Sequence, residues 1–77
     1  MEPIVIIQKL DSLAIYAPNS MVARDFKRGF KDIPIKEFDK ALWSLEKDGY
    51  LLAIVVKGET RIALNPERFD EIQRRIS

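Results

Sequence analysis

The sequence predicts an α+β domain: a three-helix core, a two-stranded β-hairpin and a C-terminal helix. Apolar residues recur at helical spacing through residues 3–48, and the pattern then changes to two short β-rich runs flanking Lys57-Gly58-Glu59. Directly after the second run, Asn65-Pro66-Glu67 supplies a capping side chain, a first-turn proline and a first-turn acid, the signals that open a helix. With 77 residues, 47% of them apolar and 32% charged, residues 1–77 form one globular domain. A chain of this size buries only about 60% of the surface its unfolded form exposes, so the core is thin.

The first helix is expected over residues 3–16, where Ile6, Ile7, Leu10, Leu13 and Ala14 share a face and Pro3 is tolerated in the first turn. Ala17-Pro18-Asn19-Ser20 interrupts it, because Pro18 disfavours helix at the preceding residue and Asn19 or Ser20 can cap the next helix. That second helix is expected over 20–30, turning Val22, Phe26 and Phe30 inward. After the break at Gly29, Asp32 and Pro34, a third helix spans 34–48, its apolar face carried by Ile35, Phe38, Ala41, Leu42 and Leu45. Gly49 stands where a left-handed cap residue ends such a helix. The runs 51–56 and 60–64 form a hairpin turning at Gly58, and a last helix over 66–76 aligns Phe69, Ile72 and Ile76.

Several chemistries are excluded by composition. Without cysteine there is no thiol nucleophile or disulfide, and without histidine the commonest metal ligand and general base are missing. Adjacent acids such as Asp70-Glu71 point in different directions on a helix, so no catalytic constellation, metal site or cofactor is expected. Arg74-Arg75 is simply favourable charge at a helix C-terminus. No apolar run approaches the roughly 20 residues that span a bilayer, and Gln8-Lys9 follow Ile4–Ile7 too closely for a signal segment. The expectation is a cytoplasmic protein with no membrane contact.

The segment Phe38–Leu52 reads FDKALWSLEKDGYLL. Its pairing of Leu42 and Leu45-Glu46 with Gly49-Tyr50-Leu51, within three helices, a hairpin and a closing helix, resembles the winged helix-turn-helix domains of MarR-, ArsR- and PadR-like regulators. The likeness covers nearly the whole chain. One departure is Lys31-Asp32-Ile33-Pro34, which lacks the compact glycine-containing turn common between the second and third helices of such units. The resemblance implies a DNA-binding transcription regulator that sets helix 34–48 in the major groove and uses the 51–64 hairpin as a wing. Some winged helices bind proteins instead, which leaves a protein-interaction module of a larger intracellular assembly as the alternative.

Thirteen Lys and Arg against twelve Asp and Glu leave a net charge of +1, so any basic surface must arise from segregation of charge. At about 100° per residue, Lys36, Lys40, Trp43 and Lys47 fall together on the third helix, opposite its apolar face. Glu37 and Asp48 border them on one flank, Asp39 and Glu46 on the other. On this helix there is no Arg, Asn or Gln, the side chains best suited to bidentate base reading. Arg24, Lys27, Arg28 and Lys31 on the second helix, with Lys57 and Arg61 in the hairpin, are candidates for phosphate contacts with double-stranded DNA. Trp43 and the apolar wing are equally candidates for a protein partner. Ile4, Val5, Ile15 and Tyr16 fall outside the apolar face of the first helix, and run 51–56 is apolar on both faces, which suggests a homodimer or cover from within the chain.

Overall fold

A computed structural model describes all residues, Met1–Ser77, as four α-helices and a three-stranded antiparallel sheet. The order is α1 (Pro3–Ser12), β1 (Met21–Val22), α2 (Ala23–Lys27) running into a 3-10 turn (Arg28–Phe30), and α3 (Ile35–Lys47). It continues with β2 (Leu51–Val56), β3 (Glu59–Leu64), a second 3-10 turn (Pro66–Arg68) and α4 (Phe69–Ile76). Strand order is β1-β3-β2, which leaves β2 at one edge. No helix is long and apolar enough to cross a membrane.

One apolar cluster joins all the layers. Ile6, Ile7 and Leu10 of α1 meet Phe26 of α2, Phe38, Ala41 and Leu45 of α3, Leu51, Ile62 and Leu64 of the sheet, and Ile72 of α4. Phe26, Phe30 and Phe38 form a tilted aromatic triplet with centroids 5.3–6.0 Å apart.

The first helix is shorter than its periodicity predicts. It ends at Ser12, and Ala14 turns left-handed at φ 57°. The Ala14 N–H donates to the Asp11 carbonyl and the Ile15 N–H to the Leu10 carbonyl, both at 2.9 Å, the pair of bonds of a Schellman cap. Residues 15–17 then run extended beside β3: the Leu64 N–H donates to the Ile15 carbonyl and the Ala17 N–H to the Leu64 carbonyl. These sheet-type bonds take the place of the last helical turn. The Tyr16 hydroxyl donates to Asp11 Oδ1 at 2.8 Å, and Gln73 Nε2 donates to the same oxygen at 2.7 Å, tying the end of α1 to α4.

The expected second helix loses its first residues to a strand. Met21 and Val22 pair with Ile62 and Arg61, completing the third strand of the sheet, and helical geometry begins only at Ala23. The third helix matches its expected span to within a residue at each end. Its inward stripe is Phe38, Ala41 and Leu45, with Leu42 half-buried. Ile35, assigned to the apolar face from periodicity, is 58% exposed, because the first turn of α3 extends past the edge of the core. Gly49 closes the helix at φ 84°, with the Tyr50 N–H donating to the Leu45 carbonyl at 3.0 Å.

The hairpin turns through Lys57 and Gly58, both at positive φ (51° and 80°), as a two-residue type I′ turn requires. Val56 then faces Glu59, and the register runs unbroken to Leu51 opposite Leu64. Asn65 caps the 3-10 turn that leads into α4, so the α-helix proper begins at Phe69 and not at residue 66: the Asn65 Oδ1 accepts from the Glu67 N–H at 3.1 Å, while its Nδ2 donates to the Gly49 carbonyl at 2.9 Å. Ile72 is buried, but Phe69 stays half-exposed against the Tyr16 ring, 5.4 Å away between centroids.

Candidate nucleic-acid interface

The outward face of α3 carries Lys36, Lys40, Trp43 and Lys47, all exposed. Trp43 is 61% exposed, so the chain does not cover it; the Lys47 Nζ lies over its ring, 5.2 Å from the centroid. None of Lys36, Lys40 and Lys47 belongs to an ion pair. Glu37, on the flank of this stripe, is instead engaged by the α-amino group of Met1 at 3.1 Å. A basic stripe with a bare indole at its middle can contact phosphate and stack on, or pack against, a partner's planar or apolar group.

The cations expected on the second helix divide into several situations. Arg24 pairs with Glu59 of β3 at 3.1 Å and Arg28 with Asp25 at 3.5 Å, so both charges are partly neutralised within the chain. Lys27 is half-buried, its Nζ donating to the Phe30 carbonyl at 2.9 Å and lying 5.8 Å from the Phe38 ring. Lys31 lies beyond the helix, exposed and in no ion pair. These four residues do not make one continuous basic face.

In the hairpin, Lys57 sits exposed at the turn, whereas Arg61 is fixed against the sheet by bonds to the Ser20 Oγ and carbonyl. Arg61 is thus a structural link between the 17–20 segment and β3. Ser20 and Arg61 are far apart in sequence, and neither carries a local signal of the pairing.

Between α2, α3 and the hairpin turn lies an open groove of about 330 Å³, floored by Val22, Ala23, Ile35, Phe38 and Leu42. Arg24 and Lys27 on its rim are balanced by Asp39 and Glu59. It is therefore an apolar, electrically balanced feature, distinct in chemistry from the lysine stripe.

Of the residues expected to mediate self-association, Ile4, Ile15 and Tyr16 are half-buried and packed against the chain's own core, and only Val5 is exposed. Periodicity alone places them outside the helix face, but the early end of α1 returns Ile15 and Tyr16 to the sheet. The unsatisfied apolar surface lies instead on β2, where Leu52, Ile54, Val55 and Val56 are all exposed.

The fold and the stripe define a small α+β domain with one basic outward helix face. Compared with protein-family models, with curated proteins and with solved structures, the chain matches none.

Proposed function

We propose that the chain is a winged-helix module that binds double-stranded DNA as a small transcription regulator, presenting α3 to the major groove and the β2–β3 hairpin as its wing. The observation that supports this best is the stripe of Lys36, Lys40 and Lys47 around exposed Trp43, on the one long helix whose opposite face is buried. Lys57, at the hairpin turn, adds a second element from which a cation can reach backbone phosphate. Such lysines contribute mainly non-specific affinity, since they neutralise phosphate without bidentate base reading.

The exposure of Trp43 favours a second reading, a protein-interaction module whose partner covers the indole. Binding to random-sequence duplex DNA at two salt concentrations separates the two. Phosphate-driven binding weakens steeply with salt, whereas no measurable binding at low salt removes the DNA reading and leaves the protein-interaction one.

A further inference from the structure

We infer that β2 is a self-pairing edge, and that two copies of the chain join through it in antiparallel register about a two-fold axis at Ile54. Strand order leaves one side of β2 without a partner strand, and no backbone bond outside the hairpin ladder involves residues 52–56. Edge strands of monomeric proteins are blunted by charge, proline, bulges or brevity. The stretch Tyr50–Val56 has no charged residue, proline or glycine; β2 spans six residues in unbroken register; and Ile54 and Val55 are 55% and 72% exposed.

The type I′ turn fixes which groups face outward. With Val56 and Glu59 as the closing hydrogen-bonded pair, residues 52, 54 and 56 turn their backbone groups to β3, so Leu51, Ala53 and Val55 present theirs to the free edge. The Tyr50 carbonyl, which accepts from the Asn65 N–H, follows the same alternation.

Of the antiparallel registers that pair outward residues, centring on Ala53 would place Val56 opposite buried Tyr50, whereas the one centred on Ile54 sets the largely exposed run 52–56 entirely against itself. Ala53 then exchanges bonds with Val55 of the other copy, and Ile54 meets its own equivalent as a close non-hydrogen-bonded pair. On the same face Leu52 meets Val56. Across residues 52–56 every rung is apolar against apolar, and no like charges are opposed.

The assembly also closes. Pairing β2 with β2 gives a six-stranded sheet whose outer edges are the two-residue β1 strands, too short to template further addition. The four exposed side chains together offer well under the roughly 800 Å² per partner of a standard interface, so the dimer falls in the weak class.

Sedimentation of the wild-type chain from about 10 µM to about 1 mM should show a reversible monomer–dimer equilibrium. Ile54→Lys, which sets two ammonium groups against each other across the axis, should abolish dimerisation while leaving the monomer's circular dichroism unchanged. Ile54→Cys supplies the only thiol in the chain and, on oxidation, should give a disulfide-linked dimer far faster than Val5→Cys on α1; this readout stands even if Ile54→Lys fails to fold. A wild-type chain that is monomeric throughout the range, a dimer that survives Ile54→Lys, or equal crosslinking from Val5→Cys overturns the inference. A second copy seated on α1 would show itself as faster crosslinking from that position.

Discussion

Arg61 donates from Nε to Ser20 Oγ at 2.8 Å and from a terminal guanidinium nitrogen to the Ser20 carbonyl at 3.0 Å, binding the loop before β1 to the middle of β3. Two bonds from a charged donor make this arginine a structural group. Arg61→Ala is expected to lower unfolding stability by about 1–3 kcal/mol, read from urea denaturation. The salt dependence of any DNA binding should stay as in the wild type.

Removing Lys36, Lys40 and Lys57 together should have the opposite profile. None of the three is buried or ion-paired, so Ala at each leaves stability near wild type. DNA affinity should fall, and the slope of log affinity against log salt should drop by roughly 0.9 for each phosphate the variant no longer neutralises. Unchanged affinity and slope would refute the assignment of α3 and the turn to DNA.

Two backbone positions should respond with opposite signs. Gly49 sits at φ 84°, and a Cβ there would stand 3.1 Å from the Arg68 guanidinium, so Gly49→Ala should destabilise by about 1 kcal/mol or more. Ala14 occupies the equivalent cap position of α1 at φ 57°, with a side chain that disfavours it. Ala14→Gly should therefore be neutral to stabilising, by up to about 1 kcal/mol. Thermal denaturation of the two variants measures both.

The Tyr16 hydroxyl titrates above the ordinary tyrosine value because burial disfavours the phenolate; its hydrogen bond to Asp11 and that carboxylate's charge push the same way, and the bond from Gln73 opposes them. A folded pKa above the unfolded one means that this contribution to stability is fully present below pH 10.0 and is lost as pH rises through the folded value. The wild-type chain should therefore lose stability more steeply in that alkaline range than Tyr16→Phe. Equilibrium denaturation as a function of pH tests it; parallel profiles would contradict the network's role.

The exposed indole gives a further handle. Trp43→Ala removes no core contact, so the fold should persist. If α3 lies on nucleic acid, tryptophan fluorescence of the wild type should change on DNA addition and the Ala variant should bind more weakly. An unperturbed emission at saturating DNA would move the indole away from the interface.

The features legible in the sequence are those whose causes lie within a few residues. The span of α3, the left-handed Gly49, the turn at Lys57-Gly58 and the Asn65 cap each depend on bonds or φ preferences inside one turn of chain. The lysine stripe was legible for the same reason, since 100° per residue determines which side chains share a helix face. Tertiary structure decided the rest. Residues 15–17 and 21–22 would extend helices by local preference, yet β3, far along the chain, offers Leu64 as a hydrogen-bond partner to the first segment and Arg61 and Ile62 as strand partners to the second, and draws both into extended backbone. That same pairing turned Arg61 from a free cation into a link with Ser20 and packed Tyr16 against the core. It also filled one side of β3 with β1 and the other with β2, leaving the far side of β2 as the sheet's unpaired apolar edge. A periodicity reports which residues can share a face; only the assembled sheet decides which of its edges is left without a partner.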